Sequence, residues 1–320
     1  MNRDDVTWRG YWTATVTPFD AQGDIDELAL RGVIQNALDC GVHGILCNGS
    51  TGEWFSQTTS ERRQVAETTV ECSHGSTPVV VGITCVRPRD AVALARHAES
   101  IGASAVMASP PPTARLTTEE LYAYFSEVFG STGLPAWIYN YPQDNGRPIT
   151  LTELERMSQI ENVVAIKQSC PDTAELIDTI ARFGGEIRVF GHLLSRLGMS
   201  LISSGFGGDG HFGSGLLLGR DMPRFFECVW AGKLDEAGRI ADRFDAMMAR
   251  MRGDASDGYN WKFGGIHGSM KAAMSLIGQN GGYPRSPKLP VTDRESLDEI
   301  AAILRDAGLT VTTARQDLEG

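Results

Sequence analysis

Short runs of β-branched and aliphatic residues alternate along the chain with longer stretches of helical periodicity. The runs at 11–17, 44–47, 78–83, 105–108, 136–140, 163–167 and 187–190 read as buried parallel strands, because a strand covered on both faces is continuously apolar. Polar signals punctuate them. Pro18 stops the first run, and Ser109 with the three prolines after it closes the fourth. Asp26 opens a helix reaching to about Cys40, and Thr58, Thr117 and Thr150 each stand three residues before a glutamate, the spacing of a helix capping box. Leu94, Ala95, Ala98 and Ile101 share one helical face, Asp172 with Glu175 opens another helix, and a further one is expected at 193–200. An eighth strand falls within the glycine-rich segment 205–215.

Eight strand–helix units in about 230 residues fit a closed (β/α)8 TIM barrel better than an open doubly wound sheet. From about Lys233 the strand signals stop. Helical stretches at 234–252, 259–277 and 296–307 remain, so the expected organisation is a barrel over 1–232 and a C-terminal helical appendage over 233–320.

Composition narrows the partners. A hydrophobic content of 42% over 320 residues is enough for a large packed core. With 29 Lys+Arg against 40 Asp+Glu the net charge is −11, which argues against nucleic acid and anionic membranes as partners and leaves small molecules. The N-terminus lacks the apolar core of a signal peptide and no run approaches the roughly 18 apolar residues of a membrane span, so a cytoplasmic location is expected. Six cysteines without Cys-x-x-Cys spacing read as reduced thiols, and six dispersed histidines provide no metal-binding motif; no metal is expected.

Three strand ends carry chemistry. The run 163–167 ends in Lys167, the run 136–140 carries Tyr139, and strand two leads into Gly49-Ser50-Thr51-Gly52-Glu53. In a parallel barrel these ends converge on one face, bringing together an amine, a phenol, two hydroxyls and backbone N–H groups. A lysine at a strand end is more often ion-paired or solvated than nucleophilic, a buried tyrosine more often packs than reacts, and a Gly-Ser-Thr-Gly sequence is also an ordinary turn. Their convergence favours chemistry: an apolar interior favours the neutral amine that attacks a carbonyl, a phenol shuttles protons, and glycine-flanked hydroxyls make a nest for a carboxylate. Lys167 is the expected nucleophile, Tyr139 the proton relay, and Ser50 the neighbour that orients the tyrosine. Gly205-Phe206-Gly207-Gly208-Asp209-Gly210 matches G-x-G-x-x-G, but it comes late and lacks the βαβ context of a dinucleotide site; a phosphate-binding loop is the lesser alternative. His192 and His211 fall near expected strand ends, within reach of a substrate.

The chain resembles the dihydrodipicolinate synthase / N-acetylneuraminate lyase family of class I aldolases and dehydratases. The resemblance rests on Thr17-Pro18-Phe19, the Gly49–Glu53 loop, Tyr139-Asn140 with Pro142, Ile166-Lys167 and Met270-Lys271-Ala272-Ala273 with its proline-rich sequel. It implies a (β/α)8 barrel with C-terminal helices, a homo-oligomer (usually a tetramer, otherwise a dimer), and a covalent lysine imine with pyruvate or a longer 2-oxo acid in place of any cofactor. By resemblance Lys167 is the Schiff-base lysine, Tyr139 the proton relay, and Ser50 and Thr51 the hydroxyl pair that assists the tyrosine and binds the carboxylate, with Gly49 and Gly52 flanking them.

Two positions depart from the synthase branch. The arginine five residues after the tyrosine, which holds a carboxylate of the second substrate, is Asp144 here, and like charges repel. Arg147 is the nearest alternative cation, at a different spacing. The tyrosine that reaches a neighbouring subunit's site is absent from Pro110-Pro111-Pro112-Thr113. The expectation is a Schiff-base lyase other than a true dihydrodipicolinate synthase, with Asp144 facing a distal group that is neutral, hydroxylated or cationic. The alternative is a non-catalytic paralogue that binds a 2-oxo acid as a sensor or scaffold, which the intact Lys167 and Tyr139 disfavour.

Overall fold

The computed structural model describes residues 1–112, 114–145, 147–253 and 261–312, without the side chains of Asp144 and Asn145. Among these residues eight strands run in sequence order: β1 (Gly10–Ala14), β2 (Gly44–Cys47), β3 (Val79–Gly82), β4 (Ala105–Ala108), β5 (Ala136–Asn140), β6 (Val163–Gln168), β7 (Arg188–Gly191) and β8 (Gly210–Ser214). Each pairs in parallel with the next, and β8 returns to β1, closing the barrel. Helices α1 (Glu27–Asp39), α2 (Thr59–Ser73), α3 (Pro88–Ser100), α4 (Thr118–Phe129), α5 (Pro142–Asn145), α6 (Leu151–Ser158), α7 (Thr173–Phe183), α8 (Arg196–Ser203) and α9 (Asp221–Trp230) make the crossovers. Three more follow, α10 (Leu234–Met251), α11 (Ile266–Leu276) and α12 (Arg294–Asp306).

The capping boxes form as expected: Thr58, Thr117 and Thr150 accept from the backbone N–H three residues on, and the glutamates return the bond. Three expectations need correction. The first strand ends at Ala14 rather than 17, because the chain then bends until Phe19 bridges to Ile25 and Tyr283. The helix expected at 193–200 starts at Arg196, where Ser195 caps it. The helix expected from 259 begins only at Ile266: residues 254–260 lie outside the described residues, Trp261 bridges to Arg252, and Gly264 and Gly265 take left-handed φ of 83° and 90°.

The glycine-rich segment has a structural explanation. Gly205, Gly207 and Gly208 turn the chain into β8 at positive φ, and a side chain on Gly210 would meet the Gly10 carbonyl at 2.1 Å. This turn precedes β8, so it lies at the N-terminal end of the barrel, opposite the strand end that carries Lys167. The G-x-G-x-x-G spacing therefore serves chain reversal and strand contact, and the phosphate alternative falls.

Two apolar layers divide the strand residues. One, between strands and helices, takes Ile45, Val81, Val106, Ile138, Ile166 and Val189. The other fills the barrel interior with Trp12, Trp137, Phe190 and Phe212, with Trp8 stacked on Trp137 from the N-terminal end. Full burial of each such ring contributes about 2–3 kcal/mol, so the interior is a packed floor and not a pore.

The phase of β6 depends on one irregularity. Ala136 pairs with Val163, but Trp137 pairs with Ala165, leaving Val164 as an extra residue on β6. Val163 faces the helices, Val164 and Ala165 both face the interior, Ile166 faces out, and Lys167 therefore faces in beside its partner Tyr139. Strict alternation from Val163 would have aimed Lys167 at the helices.

The segment after α11 is tied to the strand-end face by Arg285. Its guanidinium lies 4.0 Å over the Phe19 ring and donates to both carboxylate oxygens of Glu61 at 2.6 and 3.0 Å, and to the carbonyls of Gly23 and Ser56. These bonds, first of all Arg285, lower the Glu61 pKa from 4.5 to about 2. The unfolded chain therefore takes up this proton at higher pH than the folded one, so the stabilisation is complete above pH 4.5 and is lost as pH falls through 2. Glu61→Gln is expected to cost about 1–3 kcal/mol at pH 7; chemical denaturation at descending pH should show the two proteins converging toward pH 2.

Candidate active site

Lys167 and Tyr139 occupy the ends of adjacent strands and are direct Cα partners. The Lys167 Nζ lies 4.0 Å from the centre of the Tyr139 ring and 4.9 Å from that of Phe212. Both residues are buried, at 7% and 6% exposure, so an amine and a phenol share a largely water-excluded site. Tyr141 stacks on Tyr139 with ring centres 5.3 Å apart, which fixes the plane of the phenol.

The hydroxyl turn leaves β2 as a single 3-10 turn, Ser50–Gly52, between two residues in left-handed conformation, Asn48 at φ 54° and Glu53 at φ 56°. Gly52 N–H bonds to the Gly49 carbonyl and Glu53 N–H to the Ser50 carbonyl, each at 3.0 Å. Those two amides are used within the turn, and Gly52 itself serves the close approach of its Cα to the Thr15 carbonyl. Thr51 Oγ1 lies 2.8 Å from Ser214 Oγ at the end of β8.

Several site residues had no signal in the sequence. Thr84 and Ser109, after β3 and β4, share a 3.3 Å hydroxyl contact and line one small cavity with Gly49, Ser50, Trp54 and Tyr139. Gly82 is required by contact, since a Cβ there would stand 2.2 Å from the Asn48 carbonyl. Arg62 reaches from α2 beneath this cavity, donating to the carbonyls of Gly82 and Thr84 at 2.7 and 2.8 Å and to Cys85 Sγ, with its guanidinium 5.3 Å from the Trp54 ring. Among the described residues its acceptors are carbonyls and a thiol, not a carboxylate. Only spatial neighbours make these residues informative.

On the other side stand the histidines. His211 is buried, stacks on Tyr11, and its Nδ1 accepts the Leu194 N–H at 3.1 Å, which leaves the ring proton on Nε2. Burial lowers its pKa well below the usual value, with His192, Arg252 and Lys167 adding to the effect. His192, one residue past β7, is solvent-exposed and meets His211 edge-on with ring centres 5.8 Å apart. Water lost around the ring, and then the charges of Arg252 and Lys167, lower its pKa to about 4. Both imidazoles are therefore neutral near pH 7.

Arg147, the alternative cation, is engaged within the fold. It binds both carboxylate oxygens of the buried Glu153 at 2.8 Å and the carbonyls of Pro148 and Leu116, joining α6 to the chain before α4. The side chain of Asp144 and the whole of Thr113 lie outside the described residues. Among the described residues no group of three or more His, Cys, Asp or Glu side chains could hold a metal ion, and no helix is long and apolar enough to cross a membrane. All six cysteines are free thiols.

Known proteins share the sequence pattern and the fold. An uncharacterized DapA-like lyase of Rhizobium meliloti is 29% identical over 293 residues, covering 89% of this chain and 92% of that protein. The 4-hydroxy-tetrahydrodipicolinate synthase of Phenylobacterium zucineum is 28% identical over 309 residues, covering 95% and 99%. A Ruminococcus gnavus sialic acid aldolase, solved as a catalytic lysine mutant, superimposes with a TM-score of 0.81 at 25% identity, over 94% of this chain and 97% of that one. The model of the dihydrodipicolinate synthetase family matches residues 7–307, nearly the whole barrel and the helices after it, and the chain belongs to that family.

Proposed function

We propose that this protein is a Schiff-base lyase in which Lys167 forms an imine with pyruvate or a longer 2-oxo acid. The observation that carries the reading is the inward Lys167 amine 4.0 Å from the ring of Tyr139, its cross-strand partner. The neutral amine attacks the C2 carbonyl. Tyr139 hands a proton to the developing alkoxide and, after a second transfer, water leaves the carbinolamine to give the imine. The cationic imine then acidifies C3, and loss of a C3 proton gives an enamine. The same enamine adds to an aldehyde or expels a β-hydroxyl, and the reverse of addition cleaves a carbon–carbon bond. Ser50 orients Tyr139, while Thr51 and the turn from Gly49 to Gly52 hold the carboxylate, with the Arg62 charge beneath.

The distal end of the substrate separates this chain from the synthases it resembles. Asp144 occupies the position of their carboxylate-binding arginine and Arg147 is committed to Glu153, so the distal group is neutral, hydroxylated or cationic. A second reading, with an anionic distal group, is favoured by one observation: the charge of exposed Arg252 reaches His192 at the mouth. We take residues 1–232 as the catalytic unit and helices α10, α11 and α12 as a helical region packed on it. The active form is a cytoplasmic homo-oligomer, in keeping with the family.

Pyruvate with borohydride is expected to leave a reduced adduct on Lys167, located by peptide mass and absent from Lys167→Ala. Failure to trap pyruvate or any longer 2-oxo acid would move the sensor reading to first place. Tyr139→Phe should still bind the acid but turn over about 100- to 10,000-fold more slowly. In a substrate panel, hydroxylated aldehydes or sugar acids should exceed dicarboxylic ones; preference for a dicarboxylic aldehyde, abolished by Arg252→Ala, would establish the anionic distal reading. Proton NMR should find the His192 ring titrating near pH 4; a midpoint at 6.5 would place it in bulk-like water.

A further inference from the structure

Two residues of α11 grip the hydroxyl turn from outside the barrel. His267 and Lys271 are four apart and so share one helix face. His267 Nε2 lies 2.8 Å from the Ser50 carbonyl oxygen, which already accepts the Glu53 N–H at 3.0 Å. Both lone pairs of that oxygen are thus engaged, one from within the turn and one from α11. A carbonyl needs a donor, so the ring carries its proton on Nε2. The buried Nδ1 has no hydrogen-bond partner among the described residues, and the ring packs edge-on against Phe55 at 5.6 Å. Burial also lowers the His267 pKa, in keeping with a neutral imidazole.

Lys271 completes the grip one turn further along. Its ammonium, 2% exposed, donates to the Thr17 carbonyl at 2.7 Å, to Glu53 Oε1 at 2.6 Å and to the Tyr283 carbonyl at 2.7 Å, which uses all three N–H groups. Glu53, fully buried, accepts the Arg285 N–H on its other oxygen at 2.9 Å. Gln57 adds a third hold by donating to both the Gly52 carbonyl and Thr17 Oγ1. The turn that presents Ser50 and Thr51 is therefore restrained at Ser50, Gly52 and Glu53. Two of those restraints come from a helix more than 200 residues away in the chain.

We infer that His267 and Lys271 are positioning residues: α11 holds the Ser50–Thr51 turn in register with Tyr139 and Lys167, and so couples the C-terminal helices to the chemistry at the strand ends. The inference rests on the Schiff-base reading of that turn. The turn has no ladder of its own, and Glu53 sits at a left-handed φ of 56°, which a non-glycine residue keeps only when its surroundings enforce it. Placement errors of about 0.5–1 Å at such hydroxyls are costly in rate. If α11 only packed against the barrel, loss of the His267 donor would change stability and leave the turn as it was.

His267→Phe keeps the ring and removes the donor, and His267→Gln returns an N–H donor at the end of a side chain of similar reach. The two variants are compared with the parent by thermal unfolding, by amide hydrogen exchange of the peptide covering 46–57, and by the rate of borohydride-trapped imine formation with pyruvate. In His267→Phe, turn exchange is expected to rise and imine formation to fall, each about ten-fold or more, with glutamine restoring most of both. Parental exchange and imine rate in a folded His267→Phe would overturn the inference, as would a glutamine variant as impaired as phenylalanine at unchanged melting temperature. A parent that traps no 2-oxo acid would sink the Schiff-base reading alone, because the exchange comparison still decides whether α11 holds the turn.

Discussion

The structure depends on the direction in which β6 aims its last residues. A closed parallel barrel has only two faces per strand, and a shift of one residue sends every side chain to the other. The extra residue at Val164 puts both it and Ala165 toward the interior, and this turns Lys167 inward. Its neighbour Tyr139 shares that phase by register, which sets their 4.0 Å approach. Beneath them Trp12, Trp137, Phe190 and Phe212 fill the barrel, so the amine rests on an apolar floor that excludes water from below.

Above that floor the site is built from strand ends and the loops leaving them, and loops need support. Support comes from charged and polar groups that are themselves buried or half-buried and hydrogen-bonded to the loops. Lys271 and Glu53 are an ion pair deep enough that either alone would be an uncompensated buried charge, a loss of about 3–5 kcal/mol. Arg62 ties β3 to the same cavity through carbonyls, and Arg285 ties the segment after α11 to α2. Thr51 and Ser214 close the ring from β2 to β8. The hydroxyls are therefore placed by contacts from α2, α11, β8 and the proline-rich segment, well beyond their own turn.

The neutral histidines fit the same electrostatic pattern. A cationic imidazole at 192 or 211 would oppose the iminium proposed at Lys167; burial of His211 and the nearby cations at both rings favour the uncharged forms. Arg147 supplies the opposite case. Its charge is taken up by Glu153 in a bidentate pair, and the same carboxylate completes the α6 capping box.

By itself the sequence determined the alternation of apolar runs and helices, hence the barrel, because periodicity and capping boxes are local properties of the chain. It also marked Lys167, Tyr139, Ser50 and Thr51, since each ends or follows such a run. Helix starts at 196 and 266 were less legible, as Ser195 and the glycine pair 264–265 act through dihedral angles that composition only suggests. The meaning of the 205–210 glycines could not be read locally, because it comes from Gly210 lying against Gly10 across the closed barrel. Tertiary structure alone decided that Lys167 faces inward, that Arg147 is committed elsewhere, and that His267 and Lys271 reach the turn at Ser50. Inward phase is a property of strand pairing, and contacts between residues more than 200 apart exist only once the chain has closed on itself.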